Sequence, residues 1–145
     1  MSQLLASFYF NVANRDQALC QLAGKALKQQ LAVGIVTASE GDSHALDRWL
    51  WELPATGFLP HCLADDPLAA DTPVLLHHRW DRLSGRDVLF NWSQQDLAAV
   101  TDARRVIEVV ARDDEAGRQA ARARVAAYKA AGFVVDFTDM AVLHG

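Results

Sequence analysis

Only two cysteines and four prolines occur in the 145 residues, and Cys20 and Cys62 stand far apart with no CxxC spacing. This excludes a disulfide framework and a zinc ribbon, and leaves two ordinary thiols. Long apolar runs are missing too. No run of roughly 18 apolar residues occurs, and the start MSQLLASFYF has no basic segment ahead of an apolar one. Neither a membrane span nor a signal peptide is expected, and the chain is read as cytoplasmic. Positive charge is in deficit: 14 Lys and Arg against 18 Asp and Glu give a formal net charge of -4. Indiscriminate nucleic-acid binding is disfavoured on that balance. The eight glycines never fall into the G-x-G-x-x-G or G-x-x-x-x-G-K patterns that let backbone N–H groups approach a phosphate.

What is present is a chain 51% hydrophobic, long enough to bury a core as one domain spanning residues 1–145. Short apolar runs alternate with helical periods. Residues 7–12 (SFYFNV) read as a strand, and Asn14 then caps a helix, with Gln17 at the capping-box position. Leu19, Leu22, Ala23, Ala26 and Leu27 follow at the spacing of one buried helical face, which ends near Gln30. Residues 33–38 (VGIVTA) are a second strand, SEGDS a turn, and residues 45–51 a second helix that Pro54 must end. Further strands are expected at 74–77, 88–92, 105–110 and 134–137, with surface loops at 64–72 and 81–86. Such alternation predicts an α/β fold, Rossmann-like, with a mainly parallel sheet and helices on both faces.

Folds of this kind often hold a nucleotide at the first strand-to-helix turn. Here that turn is Asn11-Val12-Ala13-Asn14-Arg15-Asp16, without a glycine, so the nucleotide-binding loop is lacking and no cofactor is implied. Other catalytic constellations are weak. His77 and His78 are adjacent and would point to opposite faces of a strand, as would His61 and Cys62, so neither pair forms a metal site or a thiol–imidazole dyad. Ser43 and His44 are likewise mere sequence neighbours, and the acids at 113–115 suit a helix N-terminus.

That helix, DDEAGRQAARARVAAYKAAGF at residues 113–133, has two unlike faces. Ala116, Ala120, Ala123, Ala127, Ala130 and Ala131 share one side, read as the docking side, while Arg118, Arg122, Val125 and Lys129 form a stripe on the other. One reading of the stripe is a solvated helix face. The other starts from Val125 within it and from Tyr128 beside Gly132 and Phe133. Arginine next to an apolar notch can recognise a C-terminal carboxylate together with a bulky last side chain. Duplex DNA would call for a longer basic surface.

A second unusual stretch is WLWELPATGFLPH at residues 49–61. Helical geometry turns Trp49 with Leu46 and Leu50 toward the core and leaves Trp51 projecting outward. Phe58 follows in a loop bracketed by Pro54 and Pro60. The loop either folds back over the sheet edge or presents a protein-binding patch, since aromatics concentrate at interface hot spots.

FYF near the start, LWELPATGFLPH after the second helix, GRDVLFNWS, and RARVAAYKAAGF near the end occur in an order and spacing that resemble the chi subunit of the bacterial DNA polymerase III holoenzyme. The resemblance runs nearly end to end, although no single piece is a catalytic signature. It implies a Rossmann-like protein with no catalytic activity of its own. Chi pairs one-to-one with the psi subunit, through which it reaches the clamp loader, and it binds the acidic C-terminal tail of single-stranded DNA-binding protein, which ends in Phe. By position, Arg122 matches the family arginine expected to grip the terminal carboxylate. Val125, Tyr128, Gly132 and Phe133 would frame the ring pocket, with Arg118, Lys129 and, ranked last, Arg124 attracting upstream acids. The psi surface corresponds to Trp51, Pro54, Phe58 and Pro60, and a helicase competes for it in some members. DNA would be met only indirectly, and no membrane is involved. Where familiar members have Tyr and Lys three and four residues after the arginine, this chain has Val125 and Ala126, which removes a ring and a charge. Two other classes stay open on sequence alone. A small Rossmann-like enzyme predicts ligand-induced thermal stabilisation. A direct DNA-binding module predicts salt-sensitive affinity for oligonucleotides.

Overall fold

A computed structural model describes residues 4–52, 59–98 and 103–143. Seven strands form one sheet: β1 (Leu5–Val12), β2 (Val33–Thr37), β3 (His61–Leu63), β4 (Val74–His77), β5 (Val88–Trp92), β6 (Arg105–Ala111) and β7 (Val134–Asp139). Four α-helices accompany them among the described residues: α1 (Arg15–Lys28), α2 (Glu40–Trp51), α3 (Glu115–Ala130) and the single turn α4 (Met140–Leu143). The spatial order is β3-β4-β2-β5-β6-β1-β7, and every pairing is parallel. The expected α/β architecture is therefore present, with a sheet that is wholly rather than mainly parallel.

Parallel strands need helical crossovers, and the crossovers cover both faces of the sheet. On one face α1 and α2 bury Leu19, Leu22, Leu46 and Leu50 against Ile35, Leu76, Phe90 and Ile107. On the other, α3 packs Ala121 and Tyr128 over Ala6, Phe8, Val106 and Val110. Covered from both sides, β2 is buried at all five residues. Its glycine has a steric reason: a Cβ on Gly34 would come 2.7 Å from Leu89 Cδ2 and 3.3 Å from Leu83 Cβ.

The strands at 74–77 and 88–92 have the bounds read from sequence. Asn14 caps α1 by accepting the Gln17 N–H at 3.0 Å. The second helix starts earlier than residue 45. Ser39 Oγ accepts the Asp42 N–H at 3.1 Å, and Glu40 and Asp42 sit in the first turn, so SEGDS is a capped helix N-terminus rather than a turn between elements. The segments read as loops each hold a short 3-10 helix, at Ala69–Asp71 and Trp80–Leu83.

Candidate protein-binding surfaces

Helix α3 begins on Asp114, whose carboxylate accepts the Gly117 N–H at 2.9 Å, and ends in a Schellman turn. Phe133 N–H bonds Tyr128 O at 3.0 Å, Gly132 N–H bonds Lys129 O at 3.1 Å, Gly132 has φ +93°, and the Tyr128 and Phe133 rings meet at 5.2 Å. Tyr128, Gly132 and Phe133 therefore stop the helix; Tyr128 and Phe133 are buried, and none of the three lines a pocket beside Arg122. The side that docks is also not the alanine side. The buried stripe runs through Ala121, Arg124 and Tyr128, while Ala116, Ala123, Ala130 and Ala131 are exposed.

Arg124 can enter the interior because Glu108 of β6 waits beneath it. Glu108 Oε2 accepts hydrogen bonds from Arg124 Nε at 3.1 Å, Tyr128 Oη at 2.9 Å and Asn91 Nδ2 at 2.8 Å, and Arg124 Nη2 lies 3.0 Å from Oε1. Burial pushes the Glu108 carboxyl up, against the pull of Arg124. Burial, then the neighbouring Glu108, raises the Tyr128 phenol as well. A charge neutralised in this way holds α3 on the sheet and is not offered to a ligand.

The cationic stripe behaves differently. Arg118, Arg122 and Val125 face strands β1 and β7 across a cavity of about 400 Å³, whose walls are completed by Phe8, Phe10, Asn11, Val110, Ala121 and Phe137. Phe137 is 56% exposed, its ring 5.9 Å from that of Phe8. Arg118 pairs with Glu115, yet its buried Nε has no hydrogen-bond partner among the described residues. Arg122 is exposed on the same rim, and Lys129 continues the stripe about two turns further on. An apolar slot edged by two guanidinium groups, one with an unused donor, suits a ring that carries a carboxylate. The aromatic wall escaped the sequence reading because β1 and β7 are brought together only by the strand order. The alternation of Phe8 with Phe10 was its one visible trace.

At the opposite edge of the sheet, Trp51 closes α2 and is 54% exposed, whereas Trp49 packs against the core. The Trp51 ring lies 4.4 Å from that of His61 on β3, and with Pro60, Asp47, Cys62 and Leu68 they line a cavity of about 320 Å³. Leu68, 67% exposed, was not foreseen. Pro54 and Phe58 lie outside the described residues.

The remaining candidates resolve into structural roles. His77 ends β4 and His78 follows it, and their rings stack at 4.5 Å instead of diverging, because the strand stops between them. His77 Nε2 lies 3.0 Å from Asp65, and Nδ1 accepts the Arg79 N–H. His61 turns to α2 and Cys62 to the opposite face, as alternation requires. Among the described residues, no group of three His, Cys, Asp or Glu could hold a metal, and no helix is long and apolar enough to cross a membrane. At the first strand-to-helix turn Arg15 lies 4.2 Å over the Trp92 ring and donates to Val109 O.

Fold and surfaces together define a doubly wound α/β protein without a glycine phosphate loop, bearing a cation-rimmed apolar cavity at one end of its sheet and an aromatic patch at the other. The chain belongs to the DNA polymerase III chi subunit family: the family's model, described as DNA polymerase III chi subunit, HolC, matches residues 1–136. A DNA polymerase III subunit chi from Pseudomonas aeruginosa is 34% identical over 119 residues, covering 82% of each chain. Another, from Escherichia coli K12, is 31% identical over 119 residues, 81% of this chain and 80% of the relative. Membership makes the chain an accessory subunit of DNA polymerase III, acting in DNA replication.

Proposed function

We propose that this chi-family subunit is a non-catalytic adaptor that captures the acidic C-terminal tail of single-stranded DNA-binding protein and, at a separate surface, pairs one-to-one with psi. The observation that carries the reading is the cavity between α3 and the β1–β7 edge. The terminal Phe ring enters between Phe8, Phe10, Val125 and Phe137, and its carboxylate meets Arg122 at the rim, with Arg118 Nε as a second donor. Lys129 attracts the acids that precede it. Arg124, Tyr128 and Phe133 act from beneath by holding α3 in place, and Gly132 by ending it. At the far edge, Trp51 and Pro60, with Pro54 and Phe58 in the adjoining segment, form the psi surface, and a helicase competes for it. DNA is reached through the partners.

Calorimetric titration with a synthetic acidic peptide ending in Pro-Phe tests the tail site. Binding is expected for the free carboxylate, and a loss of about 2–5 kcal/mol for Arg122→Ala. The peptide with an amidated C-terminus should bind correspondingly weakly. Unchanged affinity in the Arg122 variant would show that the tail binds elsewhere.

A further inference from the structure

Strand β7 closes one end of the sheet and pairs with β1 alone among the described residues, its register running without a shift from Leu5 opposite Val134 to Phe10 opposite Asp139. Val134 N–H donates to the Leu4 carbonyl oxygen at 2.8 Å, so the N–H and C=O of Val134, and of every second residue after it, turn toward β1. Those of Val135 and Phe137 turn outward, and no other backbone group among the described residues meets them. Natural edges are commonly blunted by a lysine, a proline or a bulge. The sequence VVDFTD has neither lysine nor proline, the ladder has no bulge, and Val134 and Phe137 are 44% and 56% exposed. Val135 and Phe137 share the α3 face, Val135 packed against the cluster beneath that helix and the Phe137 ring beside Phe8. Alternation puts the Asp136 carboxylate on the other face. Asp139 Oδ1 is occupied, accepting from Asn11 Nδ2 at 3.1 Å and from Ala141 N–H at 3.0 Å. The charges of α3 on this side are cationic: Arg118 and Arg122 at the cavity, and Lys129 at the end of the helix from which the chain turns into the start of β7.

We propose that the residues ahead of the terminal Phe of the acidic tail add to β7 as a further parallel strand, with their backbone bonded to Val135 and Phe137 and their carboxylates drawn to the α3 cations. The inference rests on the reading of the α3 cavity as the tail site and deepens it. Direction follows from that reading: the ring ends beside Phe10 and Asn11, late in β1, and the acids arrive from the Lys129 side, where β7 starts. A peptide so placed runs as every other strand of this sheet does. Main-chain bonding of this kind supplies affinity, and the cavity at its end supplies specificity. A second copy of this chain is the competing occupant of an open edge. Paired edge to edge about a two-fold axis, it would bring a second Arg118, Arg122 and Lys129 to the same face, whereas an acidic peptide neutralises the first set.

Two measurements with the synthetic acidic peptide ending in Pro-Phe test it. Amide hydrogen exchange read by NMR should slow at least about tenfold at Val135 and Phe137 when the peptide saturates the chain. Calorimetry with peptides N-methylated at one backbone amide at a time should show a loss of about three- to tenfold at every second residue ahead of the Pro, with methylation tolerated between them. Binding that tolerates methylation at every such residue, or that leaves exchange at Val135 and Phe137 unchanged, overturns strand addition and leaves the cavity reading standing. Failure of the unmodified peptide to bind overturns the cavity reading and the inference with it. Slow exchange of the two amides in the free chain that speeds up on dilution would assign the edge to a second copy and overturn the proposal.

Discussion

Glu108 and Arg124 form an ion pair largely out of water, with side chains 2% and 10% exposed. Removing one partner from such a pair leaves the other buried and uncompensated. Glu108→Ala is expected to cost about 3–5 kcal/mol, read from the midpoint of urea denaturation at neutral pH. Nothing in the periodicity of 113–133 announced this. On a wheel Arg124 and Tyr128 count as polar, and the acceptor that lets them turn inward lies 16 and 20 residues earlier, on strand β6. A short side chain such as Ala116 or Ala123 is compatible with close docking but does not require it. Asp65 offers a pH handle at the same scale. Its hydrogen bond from His77 holds the carboxyl below the ordinary 3.8, against desolvation and with added attraction from Arg82. A carboxylate with a lowered folded value stabilises the fold above its ordinary value, and that contribution disappears as pH falls through the folded value. Below pH 3.8 the wild type should therefore lose stability more steeply than Asp65→Asn, as compared by denaturation at a series of acid pH values.

Elements were legible in proportion to their length and to the locality of their signals. The strands at 74–77 and 88–92 are compact apolar runs, and the Asn14 cap is a local motif. By contrast β3 has three residues, too few to show alternation, and exists because His61, Cys62 and Leu63 pair with Val74, Leu75 and Leu76. In SEGDS the serine, acids and glycine suit a turn as well as a cap, and the apolar positions that follow begin only at Ala45. Helix α3 sharpens the point about caps. A Cβ on Gly117 would come 2.3 Å from the Asp114 carboxylate that caps the helix. Asp114→Ala should lower stability by about 1 kcal/mol. Gly117→Ala, which in an exposed helix gains up to about 1 kcal/mol in propensity, should gain nothing here because the new methyl displaces the cap. Paired thermal melts of the two variants check both expectations.

Across the whole molecule, strand order decides how the two surfaces relate, and order is what a single sequence does not disclose. Alternating strands and helices gave a parallel sheet, but not that β7 would lie outside β1 at one end and β3 outside β4 at the other. Six strand spacings separate those edges, about 29 Å at roughly 4.8 Å each. The cavity beside α3 lies at the β1–β7 end and the Trp51 patch at the β3 end, so no side chain lines both. Between them stands a core packed from both sides, with every residue of β2 and β4 buried, and close packing of that kind resists rearrangement by a ligand at either end. Ligands that favour neither of two states shift nothing, and their binding free energies add. The acidic Pro-Phe peptide should therefore bind the psi complex and the free chain with the same affinity, Arg122→Ala should leave psi pairing intact, and Trp51→Ala should leave peptide binding intact. Calorimetric titration of the peptide into the free chain and into the preformed complex checks this directly. A difference beyond about 0.5 kcal/mol would mean that the two ends of the sheet communicate.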